Sequence, residues 1–248
     1  MHGPTWLTAR PVAHRGLHDA AAGIVENTPS AFAAAIAANC AIECDIQITA
    51  DGEAMVYHDD ALGRLTDGSG RLDAMTCADL KRVPFRATQD RMITLSELCT
   101  LVAGRVAIFI EVKSRFDGDM RLARRAAEVL AAYQGPAALM SFDPAPIVAL
   151  RSLCPDRPRG IVAEFKYDHA EWRSLSARTK CALTYFLHAM RSRPQFVAYS
   201  VKDLPAAIPW MARTLFRLPL LTWTVRTEDD RARAARYADQ MIFEGFRP

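Results

Sequence analysis

The apolar residues of this chain alternate between short runs with the period of a β-strand and longer stretches with the period of a helix. Apart from one short segment at residues 55–58, there are eight strand-like runs. They cover residues 11–14, 41–48, 106–112, 137–142, 160–163, 196–200, 220–225 and 240–243. Helical patterns separate most of them, and alternating βα units build a parallel sheet. Eight such units predict an α/β fold, a closed (β/α)8 TIM barrel.

Residues with a preference for helix ends mark where several helices begin. Thr28 precedes Pro29, which is the order expected of an N-cap and the first helical residue. Thr94 and Glu97 have the spacing of a capping box. Further helices are predicted at residues 119–133, 146–153, 169–190 and 205–216, and one after Thr227. Residues 59–92 form a small insertion, and we expect the whole chain, residues 1–248, to be one barrel domain.

Composition narrows the class of protein. Half of the residues are hydrophobic and 24% are charged, so a disordered chain is excluded. The net charge of +3 comes without a basic stripe interleaved with aromatics, so we expect no nucleic-acid partner. Six cysteines without a C-x-x-C pair, no secretory signal and no uninterrupted apolar span predict a soluble, cytoplasmic protein without a transmembrane segment. The oligomeric state stays open.

Acidic residues occur within two of the apolar strands. Glu43 and Asp45 are two residues apart, so their side chains point to the same side of the strand. Glu111 and Lys113 have the same spacing on the next barrel strand. Three carboxylates that converge on one barrel mouth would repel each other, and a divalent cation would relieve that repulsion. Oxygen ligands favour Mg²⁺ or Ca²⁺ over zinc.

Two histidines stand at the ends of strand-like runs. His14 precedes Arg15, and His58 ends the short segment at residues 55–58. Imidazole titrates near neutral pH, so the pair suits a general base and a general acid. His14 and His18 also have an H-x-x-x-H spacing, but Gly16 places them on a loop, where that spacing does not form a zinc site.

The motifs that are missing narrow the chemistry further. The chain has no G-x-x-x-x-G-K-[ST] loop, no G-x-G-x-x-G and no G-x-S-x-G. Nucleotide kinases, dehydrogenases and α/β-hydrolases are therefore disfavoured. A divalent cation with Arg15, Lys113 and two histidines instead suits a small-molecule phosphate ester, whose transition-state oxygens those cations would stabilise.

The order of these motifs along the chain is also informative. The motifs are His14-Arg15-Gly16, Glu26-Asn27-Thr28, Glu43-Cys44-Asp45, Val56-Tyr57-His58-Asp59, Thr94-Leu95-x-Glu97-Leu98, Glu111-Val112-Lys113 and Trp223-Thr224-Val225. Together they resemble the glycerophosphodiester phosphodiesterases over nearly the whole chain. That family has a (β/α)8 barrel with a small insertion after the second histidine, where this chain has residues 59–92.

The resemblance implies metal-dependent hydrolysis of glycerophosphodiesters to glycerol 3-phosphate and an alcohol. It implies these roles: His14 and His58 as the acid/base pair with Arg15 beside them, Glu43, Asp45 and Glu111 as metal ligands, Arg15 and Lys113 as phosphate contacts, and Trp223 as a wall of the substrate pocket. Trp223 as barrel core and Lys113 as a structural partner of Glu111 stay open alternatives. Asn27 either orients a loop near His14 or merely precedes the cap at Thr28.

The chain departs from the family pattern near the mouth of the barrel. Members usually close on Thr-Asp-x-Pro after the eighth strand, where this chain has residues 243–248, and Arg226 replaces an Asn that commonly follows Trp-Thr-Val. Both changes put the alcohol preference in doubt more than the chemistry.

Two alternative functions fit the same residues. A phospholipase D-like lipase acting on lysophospholipids or sphingolipids should expose an apolar rim at the barrel mouth, and the candidates for it are Phe85, Phe116, Trp210 and Phe216. A non-catalytic phosphodiester-binding protein would need no acid/base pair.

Overall fold

A computed structural model of the chain describes residues 3–248. Within these residues, eight parallel strands close into a barrel, and one further strand, β3, pairs antiparallel with β2. The barrel closes where β1 pairs with both β2 and β9. The strands are β1 (Val12–Ala13), β2 (Ala41–Ile48), β3 (Ala54–Val56), β4 (Ile108–Val112), β5 (Ala137–Ser141), β6 (Arg159–Ala163), β7 (Phe196–Ser200), β8 (Leu220–Val225) and β9 (Gln240–Phe243). The TIM-barrel prediction is confirmed.

The helices begin largely where the sequence predicts. They are α1 (Pro29–Ala37), α2 (Cys77–Arg82), α3 (Leu95–Val102), α4 (Arg121–Ala132), α5 (Pro144–Leu153), α6 (Ala177–Thr184), α7 (Ala189–Ser192), α8 (Ala207–Thr214) and α9 (Glu228–Tyr237). Thr28 caps α1, and Thr94 and Glu97 form the predicted capping box of α3. Thr227 and Asp230 form a second capping box at α9. Each such N-cap stabilises a helix by about 1 kcal/mol.

The single helix predicted at residues 169–190 is wrong. The structure has a 3₁₀ turn at Ala170–Trp172, then α6 and α7. Ser176 begins α6, because its hydroxyl accepts a hydrogen bond from the backbone of Thr179. Phe186 ends this stretch of helix with a left-handed backbone, φ 52°. The apolar spacing was periodic enough to mask both breaks.

Two layers of apolar side chains lie on either side of the barrel wall. Phe109 of β4 packs inside the barrel, whereas Ile108 and Ile110 pack outward against the helices. Gly160 of β6 leaves room for the Phe196 ring inside, since a Cβ there would lie 2.3 Å from that ring. The same alternation directs Glu111, two residues after Phe109, toward the barrel axis at its carboxyl end.

The insertion at residues 59–92 is more ordered than a loop. It contains α2 and a 3₁₀ turn at Leu72–Ala74, and it has an apolar cluster of its own. Phe85 is buried in that cluster, 4% exposed, against Tyr57. Phe85 is therefore not part of an exposed rim. No helix among residues 3–248 has the length and apolarity needed to cross a bilayer.

Candidate active site

Three carboxylates meet at the carboxyl end of the barrel. Strands β2 and β4 are parallel neighbours, and their register places Asp45 opposite Glu111. Glu43, Asp45 and Glu111 each offer an oxygen, and these oxygens lie within 4.8 Å of one another. All three residues are buried. The structure thus brings together the acidic residues that the alternation of β2 and β4 predicts.

Two cations compensate this cluster. Lys113 Nζ lies 2.8 Å from Asp45 Oδ1 and 2.6 Å from Glu111 Oε1. The backbone N–H of Arg15 donates to Glu43 Oε2 at 2.9 Å. The side-chain Nε of Arg15 lies 3.4 Å from Asp45 Oδ2. Arg15 reaches this position through a left-handed backbone, φ 56°. Gly16 follows with φ 81°, where a Cβ would lie 2.9 Å from the backbone of α1.

The pKa values of Glu43 and Asp45 shift in opposite directions. Burial raises the pKa of Glu43 well above its usual range, and the charges of Asp45 and Glu111 add to this rise. Burial also acts to raise the pKa of Asp45, but the neighbouring positive charges, Lys113 foremost, together outweigh burial and hold that pKa well below its usual range. A further cation between these carboxylates would relieve the repulsion that helps to raise the pKa of Glu43.

The donor set fits a hard divalent cation. Glu43 Oε1 and Glu111 Oε2 accept no hydrogen bond from any described residue, while the other oxygen of each carboxylate is engaged. Both residues line a cavity of about 240 Å³. Carboxylate oxygens that face a cavity and lack donors are the ligands that Mg²⁺ and Ca²⁺ prefer.

His14 follows β1 and is held by a carboxylate. Its Nδ1 lies 2.7 Å from Glu244 Oε2, and its Nε2 lies 3.9 Å from Glu43 Oε2. Burial lowers the pKa of His14 to about 4, so the ring is neutral at pH 7. Burial acts to raise the pKa of Glu244, but the contacts with His14 and Arg226 together outweigh it and lower that pKa to about 2. An ionised Glu244 only accepts, so Nδ1 carries the proton and Nε2 is the acceptor.

His58 follows β3 and has the same arrangement. Its Nδ1 lies 2.7 Å from Asp59 Oδ1. Burial acts to raise the pKa of Asp59, but hydrogen bonds from His58 and Arg64 outweigh it and lower that pKa below its usual range. His58 therefore also donates through Nδ1, and His14 and His58 line the same cavity. The structure brings the two predicted histidines to one site.

A chain of ion pairs links the two histidine loops. Arg15 donates to Glu26 at 2.8 Å, and Arg64 bridges Glu26 and Asp59 at 2.7 and 2.6 Å. Asp59 in turn accepts from His58. Glu26 and Arg64 have no role predicted from the sequence, because nothing in the spacing of two loop residues 38 positions apart indicates that they meet.

Asn27 holds both a loop and a carboxylate. Its backbone N–H donates to Arg15 O at 2.9 Å, and its side-chain Nδ2 donates to Asp45 Oδ2 at 2.9 Å. Asn27 is buried, with a left-handed φ of 55°. Of the two alternatives left open by the sequence, the structure supports the loop contact, and the contact with Asp45 was missed.

Glu244 lies in the segment 243–248 that departs from the family pattern, and it contacts Arg226, the other departure. Arg226 donates to both oxygens of Glu244, at 3.3 and 3.0 Å. Glu244 is not among the site residues predicted from the sequence. Barrel closure could have found it, because β1 pairs with β9 and Ala13 lies opposite Phe243. The next residue of each strand is then His14 and Glu244.

Aromatic side chains form one wall of the mouth. Trp223 is half-buried, donates through Nε1 to Ala198 O at 3.0 Å, and packs edge-on against Phe142. Phe142 contacts Trp172, which in turn contacts Phe116. Trp223 lines the smaller cavity, so it belongs both to the barrel interior and to the pocket. An adjoining cavity of about 780 Å³ extends past Trp172 and Phe116, so the site has room for more than a phosphate group.

The two predicted phosphate contacts also lie at this cavity. Arg15 and Lys113 both line it, together with the two histidines. Lys113 is at the same time a partner of Glu111, so the structural and the phosphate-contact interpretations of Lys113 describe the same position.

Comparison with known proteins gives one family. A model of the glycerophosphoryl diester phosphodiesterase family matches residues 14–244. A protein of Mycobacterium tuberculosis named "Probable glycerophosphodiester phosphodiesterase 1" is 27% identical over 226 residues, which cover 80% of each chain. The glycerophosphodiester phosphodiesterase 1 of Rattus norvegicus is 36% identical over 118 residues, 43% of this chain and 34% of its own.

Solved structures show the same fold. A phosphodiesterase of Oleispira antarctica, solved with the product sn-glycerol-3-phosphate, has a TM-score of 0.76 at 18% identity, covering 96% of this chain and 93% of its own. A glycerophosphodiester phosphodiesterase of Thermotoga maritima has a TM-score of 0.70 at 22% identity, covering 98% and 96%.

Proposed function

Because the chain belongs to the glycerophosphoryl diester phosphodiesterase family, we propose that it hydrolyses glycerophosphodiesters to glycerol 3-phosphate and a free alcohol. One observation carries this proposal. Two histidines, each with a carboxylate on Nδ1, line one cavity with Glu43, Glu111, Arg15 and Lys113, and the Asp45 carboxylate lies within 4.8 Å of the two glutamates. Hydrolysis of a phosphodiester needs a base for the nucleophile, an acid for the leaving oxygen and positive charge at the phosphate. This cavity offers all three.

Glu43, Asp45 and Glu111 would hold a divalent cation, either Mg²⁺ or Ca²⁺. Their burial, their proximity and the two glutamate oxygens without donors support this role. The bound ion would neutralise charge on the phosphate oxygens. Lys113 and Arg15 would add hydrogen bonds to the same oxygens, and these strengthen as charge develops in the transition state.

The two histidines would divide the proton transfers. His14 is neutral at pH 7, with Nε2 as an acceptor, so it would take the proton of the nucleophile. As the general acid, His58 would start with both ring nitrogens protonated and would give its Nε2 proton to the departing alcohol oxygen as the phosphorus–oxygen bond breaks, which leaves the Nδ1–H that Asp59 holds. Glu244 and Asp59 would hold each ring in the required tautomer. Trp223 would contact the glycerol or the alcohol group from the side of the cavity.

The alternative functions have less support. Of the four residues predicted for an apolar rim, Phe85 is buried and Phe116 packs against Trp172. Trp210 and Phe216 are exposed, but they lie on α8 and the segment that leads to the N-terminal end of β8. That end is opposite the site. A non-catalytic binding protein would not need two histidines held in matching tautomers.

An assay of the purified protein tests this proposal. We expect release of glycerol 3-phosphate from glycerophosphodiesters, loss of activity in excess chelator and recovery on addition of Mg²⁺ or Ca²⁺. Glu43→Gln should abolish activity and weaken metal binding, because it removes a charged ligand. Glu53→Gln, an acid outside the site that pairs with Arg125, is the matched control. Full activity in chelator, with no metal in the protein, would contradict the metal role.

We also propose a cytoplasmic location. All six cysteines carry free thiols, and Cys40, Cys44 and Cys99 are buried among apolar side chains. Thiols kept in this state are typical of a reducing compartment.

A further inference from the structure

Exposed large apolar side chains are concentrated in one stretch of the chain. Eight are exposed among the described residues, and six of these lie between residues 185 and 216. We call this set the β7 flank: Tyr185, Leu187, Met190, Trp210, Leu215 and Phe216. Met190 is 83% exposed and Phe216 is 70% exposed. Isolated exposed apolar residues are common, but a concentration of this kind indicates a surface that contacts a partner.

The same segment is strongly basic. Residues 173–217 contain eight Lys and Arg residues and one acid, Asp203. The whole chain has a net charge of only +3, so the remaining residues together are net acidic. Lys202 and Arg213 pair with Asp230 and Asp239. The other six cations form no ion pair with any residue between 3 and 248, and they are Arg173, Arg178, Lys180, Arg191, Arg193 and Arg217.

The topology places this flank away from the active site. α6 and α7 lead into β7, α8 follows it, and β7 pairs with both β6 and β8. Helices that flank the same strand are neighbours in the outer ring of a barrel. Residues 190–193 and 215–217 precede β7 and β8, so they lie toward the N-terminal ends of the strands. The catalytic cavity lies at the carboxyl ends, and none of the flank residues lines it.

We propose that the β7 flank binds the surface of an anionic lipid bilayer. Trp210, Phe216 and their apolar neighbours would enter the headgroup region, where amphipathic aromatic side chains are favoured. Arg191, Arg193 and Arg217, which also lie toward the N-terminal ends of β7 and β8, would lie against anionic lipid headgroups. The active-site cavity would then open away from the bilayer contact and take its substrate from water.

Charge makes a bilayer a better partner than a second copy of this chain. A symmetric dimer uses the same patch on both subunits, so the cations of one flank would face those of the other. In either copy, residues 173–217 contain no acid that could compensate these cations, apart from Asp203. An anionic bilayer offers negative charge and an apolar layer beneath it, which match both components of the flank.

Vesicle flotation tests the proposal on the full chain. We expect the protein to bind vesicles made of equal parts phosphatidylcholine and phosphatidylglycerol, to ignore pure phosphatidylcholine, and to be released by high salt. Each cation removed should weaken binding about fivefold, from about 1 kcal/mol per residue. Arg191→Glu/Arg217→Glu should therefore reduce binding by well over tenfold. Arg82→Glu/Arg124→Glu is the matched control, since both of these cations are exposed outside the flank.

A second pair of variants tests the apolar component. Leu215→Ser/Phe216→Ser should also lose binding to the mixed vesicles, whereas Phe165→Ser, an exposed apolar residue outside the flank, should keep it. All variants should hydrolyse a water-dissolved glycerophosphodiester at the wild-type rate. The proposal is overturned if the wild type does not bind the mixed vesicles at low salt. It is also overturned if either flank variant binds like its control, or if Leu215→Ser/Phe216→Ser only converts a dimer to a monomer.

Discussion

At the scale of single residues, the two histidines share one geometry that their sequence positions do not reveal. Each ring places Nδ1 at 2.7 Å from a carboxylate, Glu244 for His14 and Asp59 for His58. Asp59 is the next residue after His58, whereas Glu244 is 230 positions from His14. Arg226 donates to both oxygens of Glu244, including the Oε2 that contacts His14. Two positions in the regions that depart from the family pattern thus contact each other beside the His14 ring.

The Glu244 contact gives a direct prediction. Glu244→Gln replaces an ionised acceptor with an amide that can donate to Nδ1 and stabilise the wrong tautomer of His14. We expect kcat to fall at least tenfold, about 1.4 kcal/mol of transition-state stabilisation, with KM little changed. Glu244→Asp should recover part of the rate, and Glu228→Gln, an exposed acid on α9, should have no effect. Equal kcat values for Glu244→Gln and wild type would show that Glu244 is only structural.

Lys113 makes a second residue-level prediction. Its ammonium group lies among Asp45, Glu111 and the cavity. Although burial opposes the charge, Asp45 and Glu111 outweigh it and raise the pKa of Lys113 above its usual range, so the group stays cationic. Lys113→Ala should lower kcat/KM more than tenfold, about 1.4 kcal/mol or more, through loss of a phosphate contact.

A control separates that effect from unfolding. Thermal melting of Lys113→Ala with bound metal should show a folded protein. Lys81→Ala removes a lysine from an exposed pair with Glu97 and should leave kcat/KM unchanged. If Lys113→Ala keeps the wild-type kcat/KM, Lys113 is a structural partner of Glu111 and not a phosphate contact.

At the scale of elements, the sequence predicts the features that depend on nearby residues, such as the starts of helices. Thr28, Thr94 and Thr227 each begin a helix in the structure, because a cap depends on residues within one turn. The prediction of one helix at residues 169–190 failed because the Trp172 side chain turns inward and does not continue the apolar face of such a helix. Its Nε1 donates to the buried Glu164, a contact that depends on the position of β6.

We expect the free energy of unfolding to depend on pH through His188, near the end of residues 169–190. Burial lowers the pKa of His188, the N-cap of α7, from 6.5 to about 4. A lowered folded-state pKa gives stability that is present above pH 6.5 and lost as the pH falls toward 4. We expect His188 to account for a loss of about 3 kcal/mol over this window. Chemical denaturation of wild type and His188→Asn at pH 7 and pH 4 measures it.

His188→Asn should lose less unfolding free energy than the wild type between pH 7 and pH 4. His169→Asn is the matched control, because this ring is 64% exposed. A loss of the same size in His188→Asn and wild type would assign the acid sensitivity to other groups.

At the scale of the whole molecule, the sequence predicts those site residues whose positions follow from the alternation of side chains along a strand. Glu43 and Asp45 on β2 and Glu111 on β4 could be grouped because parallel strands end at one face. Glu244 could not be found from spacing alone, since it reaches His14 only through closure of the barrel. The bridge from Glu26 through Arg64 depends on how the insertion folds back, which local patterns do not encode.

The division of labour between His14 and His58 is the central claim, and one comparison tests it. Both alanine variants are assayed on an alkyl glycerophosphodiester and on an analogue with a nitrophenol leaving group, with His169→Ala as control. On the alkyl substrate each should lose roughly 10²–10⁴-fold in rate. Nitrophenolate leaves without a proton, so the analogue should restore the rate of His58→Ala and not that of His14→Ala. A near-wild-type rate on the alkyl substrate for either variant would contradict the paired acid/base mechanism.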